Sequence, residues 1–448
     1  MRKVGSFFFF GLFLGLMMAI LAAPCGALDR QPGADYHARR EALAKKAGSA
    51  VVLFAPLEGL DEVYEFRQEN NFYYLSGQTE PGAALLIAPA AEAKGDSPAR
   101  AYTEILFLLP HNLRREKFTG VKLGAENPDA PKITGFDRVE DMSKLPEEVS
   151  KAIAGARPVV YADLPAQGDT SATYEPLAFL KHSNAVVFFQ DVKPMVDSLR
   201  IYKDAGEAAL LRKAVDASVA AHFAAFRAVK PNVNEREISA IMQYEWTKRG
   251  CERPSYAPIV GSGINSTILH YSEDSNVMNA GDVVVIDAAG EYSMYAADIT
   301  RTLPVDGHFT PRQREIYDIV LGAQQAAMDA FKSGKSLLAG DSDDSLNKVA
   351  KDYIKSHGKD LHGQPLDQYF IHGLGHYIGL KVHDVGDYKV PLGPGTAFTI
   401  EPGIYIPEEK IGVRIEDDYW VDPEGKLIKL SGALPSKAED VEKAMKGK

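Results

Sequence analysis

The pattern of apolar and polar positions changes once along the chain, near residue 196. Before that point, short apolar runs alternate with polar connections, as in the strands of a largely buried sheet. Five runs are predicted to be strands, and one amphipathic segment a helix between two of them: "SAVVLFAP", "NNFYYLSG", "AALLIAP", "EILFLLP" and "NAVVFFQ", with "LPEEVSKAIAGA" as the helix. The pattern predicts an α/β domain over residues 28–195.

After residue 196 the apolar period lengthens to that of helices. Residues 204–229 carry apolar side chains on one side, and a further helix is predicted over residues 344–356. Capping boxes mark the starts of two more helices, at Asn234 with Glu237 and at Thr310 with Gln313. Four strand segments follow between and after the helices: "DVVVIDAAG", "YAADITRTLPV", "TAFTIEPGIYI" and "IGVRIEDDYWV". The mixture predicts an α+β domain over residues 196–448.

The first 27 residues form a separate segment. Arg2 and Lys3 precede an almost wholly apolar run, and small residues follow it up to Ala27. That order is typical of a secretory signal peptide, so we predict that residues 1–27 are removed on export to the periplasm or out of the cell. A retained membrane anchor is the competing interpretation, because the run is just short of a bilayer span, and lipid attachment at Cys25 is a weaker third.

Charge and cysteine content limit the partners of the mature protein. The chain has a formal charge of −11, and losing Arg2 and Lys3 with the signal peptide removes two positive charges and no negative one, which leaves −13. So acidic a surface disfavours nucleic acids and anionic membranes as partners. Only Cys251 would remain of the two cysteines, so we expect no intramolecular disulfide and a fold held by its core.

Opposed acids in a predicted hairpin are the first indication of chemistry. If "VVVIDAAGEYSMYAADITRT" turns at Tyr292 and Ser293, Asp287 lies directly opposite Asp298. Opposed residues of an antiparallel pair share a face, with Cβ atoms roughly 4.5–5.5 Å apart. Two carboxylates so close against an apolar strand repel each other and lose hydration, so their charge needs compensation.

A second hairpin repeats this arrangement. A turn at Glu408 and Glu409 in "FTIEPGIYIPEEKIGVRIEDD" places Glu401 opposite Glu416. One such pair fits a shared proton or an accident of register, but two pairs near a histidine-rich segment indicate divalent metal. Four carboxylates match the charge of two divalent ions, and carboxylate with imidazole suits manganese, cobalt, zinc or iron.

The segment "YFIHGLGHYIGLKVHDVGD" holds three of the 11 histidines, His372, His376 and His383. A zinc-protease motif would need H-E-x-x-H on a helix, whereas "GLG" separates the first two histidines here and disfavours a helix. Glycines in this position indicate a close approach of the backbone to a site. We therefore expect one or two of these histidines at most to contact metal.

Other polar residues near these acids have more than one interpretation. Arg414 lies two residues before Glu416 and thus on the same strand face, where it would orient that carboxylate or bind a negatively charged end of a substrate. The following acids, Asp417 and Asp418, are interpreted as solvated strand residues. His270 in "INSTILHYSEDSN" is by itself an ordinary loop histidine.

Taken together, these motifs resemble a known family. "VVVIDAAGEYSMYAADITRT", "FIHGLGHYIGLKVHDVG", "FTIEPGIYIP" and "GVRIEDD" closely resemble the Xaa-Pro aminopeptidase (aminopeptidase P) and prolidase branch of the pita-bread metallopeptidases. "ENNFYYLSGQTEPGAALLI" resembles the creatinase-like N-terminal domain of that branch. The resemblance covers nearly the whole mature chain and implies a pita-bread catalytic domain over residues 196–448. Relatives of this kind often associate, so a homo-oligomer is an open expectation.

The resemblance implies a dinuclear metal centre. Five residues match the family's ligands: Asp287, Asp298, His376, Glu401 and Glu416. Asp298 and Glu416 would bridge or span the two ions, and His376 would bind one of them. The complete ligand set disfavours the metal-free creatinases and the binding-only relatives, and methionine aminopeptidases lack such an N-terminal domain.

The same resemblance assigns pocket residues and a reaction. Five residues match positions that line the substrate pocket: His270, His372, His383, Tyr405 and Arg414. Two divalent ions, with manganese as the family expectation, would activate a water for attack on the carbonyl before proline. Glu401 is expected to carry the proton to the leaving nitrogen, while His270 and His383 donate hydrogen bonds to the substrate or intermediate.

Two activities fit such a site. The first is an exported Xaa-Pro aminopeptidase that acts on proline-containing peptides, and the alternative is a prolidase that accepts only Xaa-Pro dipeptides. Export favours the first, because peptides outside the cytoplasm are longer. A peptide-binding protein with a vestigial site is a third hypothesis, which the intact ligand set disfavours.

Overall fold

The structure is a computed structural model, and it describes residues 28–59, 65–93, 99–153, 159–164, 180 and 187–447. The predicted signal peptide, residues 1–27, lies outside the described residues and stays a prediction. Within the described ranges, no helix is both long enough and apolar enough to cross a membrane.

A six-stranded mixed sheet forms the N-terminal part, with strand order β4-β3-β2-β1-β5-β6. Its strands are β1 Ala50–Phe54, β2 Ala84–Ala88, β3 Thr103–Leu108, β4 Val139–Asp141, β5 Val159–Ala162 and β6 Phe188–Asp191. Along β1, Val51 and Leu53 join one apolar core, while Ala50 and Val52 join another on the opposite face. Burial on both faces explains why the strand runs are almost continuously apolar.

Among its described residues, five helices accompany this sheet: α1 Gly33–Ala47, α2 Asn70–Ser76, α3 Glu116–Thr119, α4 Ala130–Thr134 and α5 Leu145–Ile153. The prediction of a strand for "NNFYYLSG" is wrong, because these residues form α2. Glu69 caps this helix by accepting from the backbone N–H of Phe72 at 2.8 Å, and every residue from Asn71 to Ser76 is buried. A short helix buried on all sides has the same apolar run as a buried strand, so periodicity does not separate the two.

The C-terminal part contains six helices: α6 Lys193–Arg200, α7 Ala205–Ala228, α8 Glu235–Thr247, α9 Pro311–Ala330, α10 Leu346–Ser356 and α11 Ala438–Met445. Both predicted capping boxes are present, at Asn234 and at Thr310. The boundary that we predict between residues 195 and 196 falls inside α6.

Four small sheets complete the C-terminal part, in the orders β11-β10-β7, β12-β9-β8, β13-β16-β17 and β14-β15. The strands are β7 Arg253–Pro254, β8 Ile259–Ser262, β9 Val283–Asp287, β10 Gly290–Tyr292, β11 Tyr295–Ala296, β12 Thr300–Pro304, β13 Ala397–Ile400, β14 Gly403–Ile406, β15 Ile411–Arg414, β16 Asp417–Val421 and β17 Leu427–Lys429. Ile316 and Val320 of α9 share an apolar core with Phe398 and Val413. The helix thereby supports the strands next to two of the five predicted ligands, Glu401 and Glu416.

The register predicted for the first acid-bearing hairpin is wrong by two residues. Asp287 pairs with Thr300, not with Asp298. The turn falls at Ser293 and Met294, which both have positive φ, of 49° and 73°. Asp298 therefore lies in the break between β11 and β12.

The register predicted for the second acid-bearing hairpin is confirmed. Gly403 pairs with Arg414 in one sheet, and Ile400 pairs with Asp417 in the next. The two ladders have one continuous register, and Glu401 and Glu416 lie opposite each other at the junction between them.

Candidate metal centre

The predicted ligands converge on one cleft of about 490 Å³ in the C-terminal part. Nine of the ten predicted site residues line it: Asp287, Asp298, His376, Glu401, Glu416, His270, His372, His383 and Arg414. The tenth, Tyr405, is buried behind the wall and reaches the cleft through a hydrogen bond to His372. Two hairpins, the segment with His372, His376 and His383, and the loop with His270 thus supply a single site.

Three of the five predicted ligands form its centre. Atoms of Asp298, His376 and Glu416 that can bind metal all lie within 4.8 Å of one another. Nε2 of His376 is 3.2 Å from Oδ2 of Asp298 and 3.5 Å from Oε1 of Glu401. Glu401 therefore adjoins the group through the imidazole.

The local backbone explains why His376 points into this group. Its N–H donates to Oγ1 of Thr399 on β13 at 3.1 Å, and a Cβ on the preceding Gly375 would lie only 2.0 Å from the Thr399 carbonyl oxygen. Only glycine permits that approach. No residue from 372 to 387 is helical, as the sequence predicts, and Gly373, unlike Gly375, faces open space.

Asp287 joins the group through a tyrosine and pairs with an arginine. The hydroxyl of Tyr256 lies 2.5 Å from Oδ1 of Asp287 and 2.6 Å from Oδ1 of Asp298. Nη2 of Arg414 donates to Oδ2 of Asp287 at 2.6 Å. Arg414 thus lies beside Asp287, and it reaches Glu416 only through the hydroxyl of Thr300.

Glu416 tests whether the group fits a cation. Its Oε2 accepts from the Thr300 hydroxyl at 2.6 Å, whereas its Oε1 is buried and has no hydrogen-bond partner among the described residues. Burial, with repulsion from Asp298 and Glu401, raises the pKa of Glu416 well above its ordinary value. A buried carboxylate oxygen without a donor, beside further acids and an imidazole, fits a divalent ion.

The acids around Glu416 also shift the pKa values of Glu401 and His376. Burial and the nearby acids raise the pKa of Glu401 to about 8, although His376 opposes the shift. Burial disfavours protonation of His376, but its hydrogen bond to Asp298 and the charges of Asp298 and Glu401 together outweigh burial and raise the pKa of the imidazole to about 9. The centre therefore holds more negative charge than the chain itself neutralises.

The three other histidines line the walls of the cleft. Nε2 of His372 lies 2.8 Å from the hydroxyl of Tyr405, which in turn accepts from Arg414 at 2.8 Å. The ring of His383 packs edge-on against the ring of His376, with centroids 4.3 Å apart. His270 is exposed at the edge of the cleft.

Sequence reasoning missed three residues that contact the predicted ligands: Tyr256, Thr300 and Asp418. The interpretation of Asp417 and Asp418 as solvated is also wrong. Tyr256 and Thr300 carry no charge or spacing that signals their contacts. Asp418 is 1% exposed, and its Oδ2 accepts from the backbone N–H of Asp298 at 2.9 Å. Both acids are buried by tertiary contacts, Asp417 against Arg301 and Gln324 and Asp418 against the backbone of Asp298.

Comparison with known proteins identifies the class. Residues 209–423 match metallopeptidase family M24, and residues 36–161 match the aminopeptidase P N-terminal domain. The chain belongs to metallopeptidase family M24, and it has the two-domain aminopeptidase P fold. This confirms the predicted family, the predicted fold class and the prediction of a metal-dependent hydrolase.

The relatives and solved structures match over almost their full length. The Xaa-Pro aminopeptidase of Haemophilus influenzae is 33% identical, over 93% of this chain and 98% of its own. That of Escherichia coli is 34% identical, over 92% of this chain and 97% of its own. The structure of E. coli aminopeptidase P with the inhibitor Pro-Leu superposes with a TM-score of 0.78 at 31% identity, covering 94% of this chain and 99% of that one.

Proposed function

We propose that this protein is an exported, dinuclear Xaa-Pro aminopeptidase, which hydrolyses the bond between an N-terminal residue and a following proline. The observation that carries the proposal is the group of four acids and one histidine in the cleft, where Oε1 of Glu416 is buried and has no donor in the part of the chain that the structure describes. Two relatives, at 33% and 34% identity, are Xaa-Pro aminopeptidases, which supports this substrate class over that of a prolidase.

Five residues would hold two divalent ions: Asp287, Asp298, His376, Glu401 and Glu416. Family membership implies divalent metal, and this set of oxygens with one imidazole suits manganese, cobalt, zinc or iron, of which we propose manganese. Bound there, the ions would supply an activated water near neutral pH and positive charge to polarise the scissile carbonyl.

Glu401 is the group that we assign to proton transfer. Its Oε1 lies 3.5 Å from Nε2 of His376 and its Oε2 lies 3.9 Å from Nδ1 of His372, so its carboxyl group lies between the proposed ligands and the cleft wall. Its side chain remains partly open to the cleft. A proline nitrogen in a peptide bond carries no hydrogen, so it leaves only after it gains a proton. We propose that Glu401 delivers that proton.

The wall histidines would orient the substrate. His270 and His383 are both exposed to the cleft, where each is free to donate to a substrate carbonyl or to the developing oxyanion. For His372, the Tyr405 hydroxyl donates to Nε2 while Nδ1–H donates to the Gly373 carbonyl 2.8 Å away, which fixes one tautomer. We propose that His372, held in this way, binds substrate with Tyr405 and Arg414 behind it.

Peptides of matched sequence test the substrate assignment. The purified, manganese-loaded protein should release the first residue of an Xaa-Pro-Xaa tripeptide and leave the matched Xaa-Ala-Xaa tripeptide intact. Hydrolysis of Xaa-Pro dipeptides alone would make the protein a prolidase. The Glu401→Gln variant should bind metal less tightly and lose turnover, whereas persistent turnover in that variant would overturn the role of Glu401.

Export and assembly are tested separately. Intact mass and N-terminal sequencing of the protein recovered from its host should show a chain that begins after Ala27 in a soluble exported fraction. A chain that retains residues 1–27 in the membrane fraction would instead show an anchor. We also propose that the mature protein forms a homo-oligomer, and light scattering after size exclusion would measure its mass against that of one chain.

A further inference from the structure

The segment that carries His383 is anchored from outside the cleft. Asp384, the next residue, has a side chain that is 1% exposed and contacts two cations. Arg200, the last residue of α6, donates through Nη2 to Oδ1 of Asp384, and Nζ of Lys203 lies 3.2 Å from Oδ2. Nζ of Lys203 also donates to the Arg200 carbonyl at 2.8 Å, which joins the two cations to each other.

The anchor continues into the N-terminal domain. Nη1 of Arg200 donates to Oδ1 of Asn71 on α2 at 2.6 Å, and Nδ2 of Asn71 donates to Asp163 at 2.9 Å. Arg67, three residues before α2, donates through Nη2 to the Leu380 carbonyl at 2.7 Å. The N-terminal domain therefore contacts the His383 segment directly at Leu380 and, through Arg200, is linked to it at Asp384.

The backbone of this segment is shaped around the anchor. A Cβ on Gly379 would lie 2.2 Å from Oδ2 of Asp384 and 2.7 Å from Cε of Lys203, so the chain closes onto the ion pair only because residue 379 is glycine. Residues 379–386 form no helix or strand, so few ladder hydrogen bonds fix their path. Side-chain contacts supply that constraint instead.

Because the anchor consists of charged groups, its main effect is to fix the position of the His383 segment and not to stabilise the fold. A buried ion pair adds little net stability over well-packed apolar residues, because both charges lose their hydration. What it does impose is one direction and one distance, since the guanidinium fork bonds to Asp384 and Asn71 at fixed angles. The ring of His383, one residue away, is left exposed to the cleft beside His376.

We propose that Arg200, Lys203 and Asp384, which together we call the clamp, are positioning residues for His383. They hold its imidazole where it donates to the substrate, and through Asn71 they make the N-terminal domain a structural part of the active site. The inference rests on the proposed function, because it is there that His383 contacts substrate.

A double-mutant cycle tests the clamp. In the metal-loaded protein, Arg200→Met should lower kcat/KM for an Xaa-Pro-Xaa tripeptide by on the order of 10- to 100-fold, with unchanged metal stoichiometry. The double variant Arg200→Met/His383→Ala should be no worse than His383→Ala alone, because both changes remove the same contact. Losses that multiply would assign Arg200 a general structural role and overturn the clamp.

The matched control breaks a different ion pair of a buried arginine, one that joins the two domains directly. Arg39 contacts Asp204 and Glu207, and its side chain is 7% exposed. Arg39→Met should destabilise the fold without a specific loss of kcat/KM and without coupling to His383→Ala. If Arg200→Met does not fold, Arg200→Lys serves in its place, since it keeps the charge beside Asp384 and loses the link to Asn71.

Histidine side-chain NMR separates this inference from the proposed function. In the zinc-loaded protein, whose metal is diamagnetic, Arg200→Met should shift the His383 imidazole resonances, assigned by their loss in His383→Ala, and Arg39→Met should leave them in place. Unshifted resonances would overturn the clamp whatever the activity. A wild-type protein that binds metal and cleaves no proline peptide would overturn the proposed function, and with it the catalytic purpose of the clamp, even where the resonances shift.

Discussion

Two consecutive acids, Glu416 and Asp417, are equally buried and have opposite electrostatic surroundings. Burial raises the pKa of Asp417, but the charges of Arg301 and Lys429 outweigh burial and bring it below its ordinary value. Four side chains donate to this carboxylate, at 2.7, 2.6, 2.5 and 2.9 Å: Arg301, Lys429, Ser431 and Gln324. Asp417 thus has its counter-charges within the chain.

Glu416 has no such compensation. Successive strand residues point to opposite faces, so its side chain enters the cleft and meets the other acids there. Thr300 donates one hydrogen bond, and Oε1 has no partner among the described residues. The difference teaches that a structural acid is neutralised by the fold, whereas a proposed ligand is left for something outside the chain to neutralise.

The largest expected effect comes from neutralising Glu416. Glu416→Gln keeps the shape of the side chain and removes a proposed ligand, so kcat/KM should fall at least about 10³-fold, equivalent to about 4 kcal/mol. The unfolding free energy of the metal-free protein should not fall, because the amide no longer repels Asp298 and Glu401. Steady-state assays on the tripeptide, with urea unfolding of the metal-free protein, measure both quantities.

The matched control for that change is Asp417→Asn. It should lower the unfolding free energy, because it leaves Arg301 buried beside a neutral group, and the folded fraction should retain its metal. A Glu416→Gln enzyme that keeps a tenth of the activity would contradict the role of Glu416 as a ligand. An Asp417→Asn enzyme that loses its metal would contradict the purely structural role of Asp417.

The next largest effect tests whether buried Asp417 depends on its cationic partners. Arg301→Met leaves the Asp417 carboxylate buried without its main partner, and the unfolding free energy should fall by about 3–5 kcal/mol. Lys429 is 21% exposed, so Lys429→Met should cost less. Urea denaturation of the metal-loaded proteins measures both changes, and a loss below about 1 kcal/mol in Arg301→Met would show that Asp417 does not depend on its cation.

The stability lost when metal is removed should depend on Glu416 and not on Asp417. A ligand that binds the folded state alone adds about 2.7 kcal/mol at a hundred times its dissociation constant. Chelation should therefore lower the melting temperature of the wild-type protein and abolish turnover, and manganese should restore both. Asp417→Asn should show the same shift on chelation, whereas Glu416→Gln should show a smaller one or none; equal shifts in both variants would place the stabilising metal away from Glu416.

The two acid-bearing hairpins show how much of the site could be predicted from the sequence. The second hairpin was predictable in register because one strand pairing continues from β13 to β16, around a turn between Pro407 and Lys410. In the first hairpin, Ser293 and Met294 adopt left-handed conformations without the glycine or asparagine that usually marks them, so the sequence predicts the turn one residue too early. The shift of two residues kept the face of Asp287, and the acids still meet in one cleft.

The residues that sequence could not supply are those defined by tertiary contact alone. Asp417 and Asp418 follow Glu416 in the same run of apolar and acidic residues, and only their contacts with Arg301, Gln324 and the backbone of Asp298 show that they are buried. Tyr256 lies in "CERPSYAPIV", which has no period, charge or spacing that predicts a bond to two acids. Its contacts exist because β7 pairs with β10, which brings the residues after β7 next to the first hairpin.

The smallest of these effects concerns that tyrosine. Tyr256→Phe removes the single hydroxyl bonded to both Asp287 and Asp298, so the two proposed ligands lose their shared orientation while every ligand atom remains. Metal affinity should weaken about 10- to 100-fold, the usual effect of losing an outer partner. Titration calorimetry with manganese measures it, and Tyr317→Phe, whose hydroxyl bonds the Ser436 carbonyl, is the matched control with unchanged affinity. Equal affinities in the two variants would mean that the acids are held by the metal alone and that Tyr256 only fills space.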